Sequence, residues 1–402
     1  MKNLLISNVR LVKPGTGVCD GAVLVSGGCI TEIDPGKKAD VSRVEVVDGH
    51  GNLLTPGLID MHTHGIGRFI YGTTPEDILH CSRLLPAYGT TCVFPTVVPG
   101  EECGQPAQLA KLEQLAGVLD SVKGVRMPGL HLEGPFLALP GAGCSTLPGD
   151  VGLLNELIDA CKGRLSIMSI SPEQPNMLSV IERLREVGVV PFITHTGADA
   201  RETQAAIDAG ARHATHFYDV FPLPPSIEPG VRPVGVLEAI LADPRATADF
   251  ICDGCHVDPL AIKVVLAAKG YKGVCLITDS NVGAGLPPGV YDTPLGYSVR
   301  VKPGDGARVA DGYPNAGLLA GSALTMNVGV ANLLKWLDLP ADQVWAMGTL
   351  NPAEVVGMEK KGRIEPGADA DLVLWNEQIE PIMTWVSGKC VYERGRESSS
   401  AP

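Results

Sequence analysis

Two histidines, His62 and His64, follow an apolar run that begins at Leu58. If this run is a β-strand, both side chains point to the same face, because strand residues i and i+2 share a face. Neutral imidazole is the commonest protein ligand for transition metals. Two surface histidines are the alternative explanation, but the turn at residues 54–57 and the apolar approach favour a buried strand end. The spacing therefore predicts that His62 and His64 bind one metal ion.

Further residues with metal-binding or acid–base chemistry end other apolar, β-rich runs: Glu133, His195, His216 and Asp279. Each one alone has a structural explanation, since a histidine can sit at the rim of a core and an aspartate can cap a turn. Four histidines and two acids at the strand ends of one alternating pattern are not explained by caps and core residues alone. We therefore predict six metal ligands: His62, His64, Glu133, His195, His216 and Asp279.

This ligand set is sufficient for one or two divalent ions and leaves a coordination position open for water. The mixture of nitrogen and oxygen donors suits Zn²⁺ first and Fe²⁺ second. Such a site polarises a carbonyl and lowers the pKa of its bound water towards about 7, which makes hydroxide available as the nucleophile. Asp279 is then the general base and acid, because it can take the proton of the water and pass it to the leaving group. The predicted chemistry is hydrolysis of an amide, an ester or a related bond.

The elements that must position these residues alternate between β-rich and helical runs in the middle of the chain. About eight βα units occur there, which is typical of an α/β protein with a (β/α)8 TIM-like barrel, whose active site lies at the carboxyl ends of the strands. A doubly wound open sheet is the alternative fold. The predicted strands are residues 54–62, 91–98, 125–132, 165–170, 189–194, 213–216, 248–252 and 273–278. The predicted helices are residues 75–85, 106–122, 153–161, 177–187, 201–209, 234–241, 259–268, 322–335 and 341–348.

Both chain ends are rich in short strands punctuated by glycine and aspartate, in contrast to the middle of the chain. One strand, for example, is predicted over residues 384–392. We predict a small β-sandwich domain formed by residues 1–55 plus 358–396 and a catalytic (β/α)8 barrel over residues 56–357. The polar residues 397–402 are expected to be a disordered tail.

The composition is that of an ordinary globular protein of 402 residues, with 45% hydrophobic and 19% charged residues. The net charge of −13 argues against a nucleic-acid partner, and no apolar run reaches membrane-spanning length. The eleven cysteines are scattered through apolar contexts, which predicts reduced thiols in a cytoplasmic protein without a signal peptide. Cys252 and Cys255 form a CxxC pair, but no second pair accompanies it, so we expect no separate metal or redox site there.

Seven stretches, distributed over nearly the whole chain, resemble the amidohydrolase superfamily and, within it, the N-acetylglucosamine-6-phosphate deacetylase family. They are residues 56–65, 131–136, 214–218, 253–258, 276–279, 319–326 and 351–372. The resemblance implies a (β/α)8 barrel with a β-sandwich and removal of the acetyl group from a small-molecule N-acetyl amino sugar. Asp279 matches the catalytic acid/base of the family. The main metal site is matched by Glu133, His195 and His216. A second-metal pair, which some members have and which Glu133 would bridge to the first, is matched by His62 and His64.

The residues expected to bind the substrate depart from the family in three places. No histidine occurs in residues 140–146, where the family has one that polarises the acetyl carbonyl. Ile227 replaces the phosphate-binding arginine, so that Arg232 is the nearest arginine, and Asp219 replaces an asparagine. His256 matches a histidine that reaches the phosphate in the neighbouring subunit's site, which implies a homodimer, and Ser322 lies in a matching stretch. We therefore expect substrate contacts from Asp219, Arg232, His256 and Ser322.

The sequence as a whole predicts a metal-dependent amide hydrolase that deacetylates an N-acetyl amino sugar, with N-acetylglucosamine-6-phosphate as the first substrate to consider. Alternatives within the superfamily are a deacylase for an unphosphorylated or different N-acyl compound and a cyclic-amide hydrolase. Cyclic-amide hydrolases often bridge two metals through a carboxylated lysine, and no lysine occurs at the relevant strand ends. A catalytically silent metal- or sugar-binding protein is the alternative from another class.

Overall fold

The computed structural model describes residues 3–35, 44–141 and 143–396, and the predicted disordered tail, residues 397–402, lies outside the described residues. Strands occur along the whole described chain. They are β1 Asn3–Lys13, β2 Gly17–Ser26, β3 Cys29–Ile33, β4 Val44–Asp48, β5 Leu53–Pro56, β6 Leu58–Thr63, β7 Gly65–Ile66, β8 Phe69–Ile70, β9 Thr90–Val97, β10 Leu130–Glu133, β11 Leu165–Ile170, β12 Val190–Ile193, β13 His213–Ala214, β14 Thr247–Ile251, β15 Val274–Ile277, β16 Gly289–Asp292, β17 Ser298–Lys302, β18 Gly306–Val309, β19 Leu372–Trp375, β20 Pro381–Val386 and β21 Lys389–Glu393.

Among the described residues, the α-helices lie between Pro75 and Val355, and they follow most of the barrel strands. They are α1 Pro75–Leu84, α2 Pro106–Gly117, α3 Val151–Ala160, α4 Met177–Glu186, α5 Ala200–Ala209, α6 Val236–Ala242, α7 Pro259–Lys269, α8 Met326–Trp336, α9 Ala341–Gly348 and α10 Leu350–Val355. Three of them, α1, α2 and α7, begin with proline, which suits the first helical turn because its N–H groups lack intrahelical partners. Among the described residues, no helix is long and apolar enough to cross a membrane.

Eight parallel strands form the barrel, in the order β6–β9–β10–β11–β12–β13–β14–β15. Residues of β6 and β9 are buried on both faces, as expected for strands enclosed between a filled interior and an outer ring of helices. The two ends of this order meet beyond β15, where Asp279 N donates a hydrogen bond to the His62 carbonyl at 2.9 Å. The predicted (β/α)8 barrel is confirmed, and the doubly wound alternative is wrong.

The predicted single strand over residues 54–62 is divided at Gly57. Leu53–Pro56 pairs with β1 and β19, whereas Leu58–Thr63 pairs with β9 of the barrel. Gly57 lies against β9, and a Cβ atom built on it would lie 2.0 Å from Thr91 Oγ1. The glycine therefore lets the chain pass from one sheet to the other without a gap, and it delivers the strand of His62 directly into the barrel.

Both chain ends contribute to one eight-stranded sheet, with the order β21–β20–β19–β5–β1–β2–β3 and with β4 beside β1. Residues from both ends, such as Ile6 and Trp385, share a hydrophobic core that is separate from the barrel core. The predicted strand at 384–392 is a hairpin of β20 and β21, because Ser387 and Gly388 turn the chain with positive φ angles. A third, antiparallel sheet of β16, β17 and β18 follows the last barrel strand and was not predicted.

Candidate metal centre

The six predicted ligands converge at the carboxyl ends of the barrel strands, around the carboxylate of Glu133 at the end of β10. The Glu133 side chain is only 4% exposed. Its oxygens lie 3.1 to 3.7 Å from four imidazole nitrogens, those of His62, His64, His195 and His216. His62 and His216 are more than 150 positions apart in the sequence, yet both lie beside Glu133. They meet because the carboxyl ends of parallel barrel strands lie at the same end of the barrel.

Asp279 completes this group from the end of β15. Its Oδ1 atom lies 3.4 Å from His62 Nε2 and 3.2 Å from His64 Nε2. The backbone around it is held by neighbouring strand ends: Ser322 N donates to the Asp279 carbonyl at 2.7 Å, and His64 N donates to the Ser280 carbonyl at 2.8 Å. These bonds fix the Asp279 carboxylate next to the two histidines of β6.

The backbone of three of these residues has left-handed φ angles, namely +48° at His195, +37° at His216 and +47° at Asp279. A residue with a Cβ atom avoids this region, and holding one there costs about 1–3 kcal/mol. The surrounding hydrogen bonds must offset this cost. The chain thus turns abruptly after β12, β13 and β15, and the three side chains meet the other candidate ligands there.

Contacts behind the ligands set their orientation. The Leu139 carbonyl can only accept a hydrogen bond, so His195 Nδ1 donates to it at 3.1 Å. In the neutral ring, His195 Nε2 then carries a lone pair that faces Glu133 Oε1 at 3.2 Å. His216 is held through its backbone, whose N–H donates to Asp249 Oδ1 at 2.5 Å. His195 Nε2 and Glu133 Oε1 are two electron-rich atoms that face one another, so they are suited to binding a common cation.

Charge interactions in the group are strong because it is buried. Burial opposes ionisation of Glu133 and Asp279, yet the surrounding histidines hold the pKa of both carboxyls well below their usual range. Burial likewise opposes protonation of His64 and His216, but the carboxylates raise the pKa of His64 to about 10 and that of His216 to about 9. The site therefore holds two carboxylates in the anionic form and favours positive charge between them.

The donor set fits a divalent metal. His62 Nδ1, His62 Nε2 and Asp279 Oδ1 are buried without a hydrogen-bond partner among the described residues, a condition that is rare for buried polar atoms. Two trios of ligand atoms lie within 4.8 Å of one another: His62, His64 and Glu133, and Glu133, Cys144 and His195. Because Glu133 belongs to both trios, the arrangement can accommodate two ions that share this carboxylate.

Cys144 is a residue of this site that the sequence analysis did not select. It lies in the stretch 140–146, where a histidine was expected and none was found. Burial and the nearby Glu133 carboxylate raise the pKa of its thiol above the usual range. The signal was present in the sequence, because cysteine is itself a metal ligand, but the residue was grouped with the reduced core thiols.

The residues predicted to contact the substrate lie in different settings. The His256 side chain is 3% exposed, and its Nδ1 lies 2.8 Å from Asp253 Oδ2. Burial opposes protonation of His256, but the hydrogen bond to Asp253 and the charges of Asp253, Asp279 and Asp219 raise its pKa. Arg232 is 65% exposed and pairs with Glu238 at 2.7 Å. Direct substrate contact by these residues stays a prediction.

Ser322 supports the backbone turn at Asp279 from behind. It is fully buried, and its hydroxyl donates to the Thr278 carbonyl at 2.5 Å while its N–H donates to Asp279. In this structure its hydroxyl is engaged by the backbone, so Ser322 positions the Asp279 turn. Its predicted contact with the substrate stays a prediction.

Comparison with known proteins places this centre in a family. The model of the amidohydrolase family matches residues 53–391. The N-acetylglucosamine-6-phosphate deacetylase of Bacillus subtilis (strain 168) is 30% identical, over 97% of this chain and 98% of that protein. The N-acetylgalactosamine-6-phosphate deacetylase of Escherichia coli O157:H7 is 27% identical, over 94% of this chain and 97% of that protein.

A solved structure agrees with these matches. The N-acetylglucosamine-6-phosphate deacetylase of Pasteurella multocida superposes with a TM-score of 0.84 and 25% identity, covering 96% of this chain and 99% of that chain. The fold, the family match over most of the chain and the convergent ligands agree with one another. The chain therefore belongs to the amidohydrolase family, a family of metal-dependent hydrolases of carbon–nitrogen bonds.

Proposed function

We propose that this protein removes the acetyl group from a 6-phosphorylated N-acetyl amino sugar by metal-assisted amide hydrolysis. The names of its relatives support this substrate class, because they are deacetylases of N-acetylglucosamine-6-phosphate and N-acetylgalactosamine-6-phosphate. One observation of the structure carries the reaction type. Four imidazoles and Asp279 surround the buried Glu133 carboxylate, and the His62 nitrogens and Asp279 Oδ1 lack hydrogen-bond partners among the described residues.

The ligands fall into two groups that share Glu133. We propose that Glu133, His195 and His216 hold the main ion, and that His62 and His64 hold a second ion together with Glu133. A divalent ion bound there supplies Lewis-acid polarisation of the acetyl carbonyl and acidifies water. The mixed nitrogen and oxygen donors favour Zn²⁺, with Fe²⁺ as the second choice.

Asp279 is the proposed general base and acid. Its low pKa keeps it ionised at neutral pH, so that it can accept the proton of the attacking water. The same carboxyl then delivers this proton to the sugar nitrogen as the carbon–nitrogen bond breaks, so that a neutral amine leaves together with acetic acid, which releases its own proton to solvent and becomes acetate. The hydrogen bond from Ser322 N to the Asp279 carbonyl holds the turn during both transfers.

We also propose that the protein works as a homodimer in the cytoplasm. The dimer rests on the match of His256 to a histidine that reaches a neighbouring site. The reducing compartment is supported by the described cysteines, all of which are free thiols.

An unphosphorylated N-acyl substrate is the second candidate, and the loop around Ile227 favours it. Ile227 is 91% exposed where the family has an arginine, and Arg232 is already paired with Glu238. Neither side chain neutralises an anion in this arrangement. The phosphate would then depend on His256, whose pKa is raised and which could carry positive charge near neutral pH.

The test is amine release from N-acetylglucosamine-6-phosphate, N-acetylgalactosamine-6-phosphate and N-acetylglucosamine, measured side by side with metal content on the same preparation. We expect hydrolysis of at least one phosphorylated sugar with a clear preference over the neutral sugar. Preference for the neutral sugar would replace the first candidate by the second. Hydrolysis of none of them by a metal-loaded protein would refute both.

A further inference from the structure

The thiol of Cys144 lies within the metal centre and has no role in the proposed reaction. Its Sγ, a carboxylate oxygen of Glu133 and a ring nitrogen of His195 all lie within 4.8 Å of one another. Two ligands of one tetrahedral zinc, at about 2.0–2.3 Å from the ion, lie roughly 3.5 Å apart. Small side-chain adjustments therefore suffice for the three atoms to bind one ion.

The loop that carries Cys144, described over residues 137–141 and 143–147, is tied to the centre on both sides of the thiol. On one side, Leu139 exchanges two hydrogen bonds with His195: its N–H donates to the His195 carbonyl at 3.0 Å, and its carbonyl accepts from the ring. On the other side, Ser145 Oγ donates to the Pro99 carbonyl at 2.8 Å. The segments on either side of Cys144 are thus anchored, which keeps the thiol near Glu133 and His195.

Gly141 brings this loop close to the ligand ring. Its φ angle is +49°, and a Cβ atom built on it would lie 2.0 Å from His195 Cε1. Only glycine fits this close approach of backbone and imidazole. Cys144 N then donates to the Pro140 carbonyl at 2.7 Å, which closes a turn and returns the chain towards Glu133.

We propose that Cys144 is a thiolate ligand of the ion held by Glu133, His195 and His216. In the resting protein, the sulfur would occupy the coordination position that is otherwise open to water. Thiolate is a stronger ligand for zinc than the water it would replace. The sulfur–metal bond forms as the thiol proton is released to solvent, and no oxidant is required. Because a catalytic ion needs an open position, the substrate carbonyl must displace the sulfur, which then takes a proton again. This inference rests on the metal centre of the proposed function, but not on the identity of the sugar.

The experiment is a Co²⁺ titration of the metal-free full chain, followed by absorption spectroscopy. Cobalt–thiolate bonds give near-ultraviolet charge-transfer absorption, whereas nitrogen and oxygen ligands do not. We expect this band in the native protein and in Cys29→Ser, a control at a half-buried cysteine of β3 in the other sheet. We expect Cys144→Ser to bind Co²⁺ without the band and about tenfold more weakly, since even outer contacts of a metal site are worth that much.

A second measurement needs no variant. Alkylation of Cys144 by iodoacetamide, followed by mass spectrometry, should be suppressed when the native protein is loaded with Zn²⁺. Equal labelling with and without Zn²⁺, or bound Co²⁺ without a Cys144-dependent band, would overturn the thiolate ligand even if the sugars are hydrolysed. A clear band with no hydrolysis of any sugar would overturn the proposed substrate and leave the ligand standing. Failure of the native chain to bind Co²⁺ or Zn²⁺ would overturn both.

Discussion

Buried histidines occupy two places in the barrel, and they differ in what their ring nitrogens contact. His131 and His213 lie inside the barrel wall, and every ring nitrogen has a partner. His131 contacts the Met61 carbonyl and Ser169 Oγ, both at 2.8 Å. His213 contacts Thr247 Oγ1 at 2.7 Å and Asp249 Oδ2 at 2.9 Å.

His62, at the strand end, is equally buried, but both of its ring nitrogens lack hydrogen-bond partners among the described residues. A buried polar atom without a partner costs about 1–3 kcal/mol. Complete pairing at His131 and His213 therefore indicates side chains that stabilise the fold, whereas the unpaired nitrogens of His62, beside the Glu133 carboxylate, leave that side chain available to a ligand. A search of the sequence for histidines alone would not have distinguished His131 and His213 from His62.

The largest effect is expected at Glu133, which belongs to both ligand trios. Glu133→Ala removes the shared carboxylate, so we expect metal content to fall from stoichiometric to near zero and activity to be lost. Elemental analysis of the purified variant measures this directly. Retention of a full metal complement would show that the imidazoles bind the metal without Glu133. The shared carboxylate would then no longer distinguish the strand-end histidines from His131 and His213.

Asp279→Asn tests the proposed general base. We expect kcat to fall by about 10²–10⁴, the usual contribution of a positioned acid–base group, with little change in the unfolding temperature. Metal content should stay high, since the histidines and Glu133 remain. Near-normal turnover would remove Asp279 from the proton transfers.

Lys361 is a third buried side chain, after His131 and His213, whose polar atom has partners. Its ammonium lies 2.5 Å from Asp371 and 2.9 Å from Asp369, beside the sheet formed by the chain ends. Lys361→Met leaves both carboxylates without this partner, so we expect the free energy of unfolding to fall by about 3–5 kcal/mol. Urea denaturation measures this, and hydrolysis by the folded, metal-loaded fraction should be unchanged.

The same pair predicts a pH dependence. Although burial lowers the pKa of Lys361, the Asp371 charge outweighs this and raises the pKa above its usual 10.5. A raised pKa means that the stabilisation is fully present below 10.5 and is lost as the pH rises through the folded-state value. Native protein should therefore lose stability above pH 10.5 more steeply than Lys361→Met.

His213→Ala sharpens the comparison from the structural side. Removing the imidazole takes a partner from the buried Asp249 carboxylate, so we expect a loss of about 2–3 kcal/mol in unfolding free energy. Activity per metal-loaded molecule should change little. Unaltered stability combined with loss of metal would move His213 into the ligand group.

The smallest effect is expected at His256, the cation proposed to meet the phosphate. His256→Ala should raise KM for the phosphorylated sugar about tenfold, equivalent to about 1.4 kcal/mol, and leave kcat nearly unchanged. The neutral sugar is the matched control, because it lacks the anion. An equal change in KM for both sugars would remove His256 from the phosphate site.

Much of the barrel, and the meeting of the six predicted residues at its strand ends, could be predicted from the sequence, because buried parallel strands are continuous apolar runs and these residues follow them directly. Their role as ligands stays a prediction. The starts of α1, α2, α4, α7 and α9 are confirmed to the residue. The break at Gly57 was missed because residues on both sides are apolar, and only the partner strands distinguish them. The sheet of β16 to β18 was missed because its short strands lack a strong pattern.

The finer features of the site depend on contacts between distant segments. The left-handed backbone at His195, His216 and Asp279 is not encoded by glycine, so local propensity argues against it. Cys144 was passed over because a different residue type was expected at that place. Its proximity to Glu133 and His195 becomes visible only in the folded chain.

The sheet shared by both chain ends has a consequence for synthesis on the ribosome. Strand β5 ends at Pro56, but its neighbour β19 begins only at Leu372. The emerging N-terminal strands must wait, with one edge unpaired, until the chain has been translated beyond Leu372. Because β6 continues directly from β5, the nascent barrel starts from a strand whose anchor is still incomplete. Productive folding is therefore expected only after β19 has left the ribosome, and truncation before Leu372 is expected to yield aggregation-prone products rather than a stable barrel.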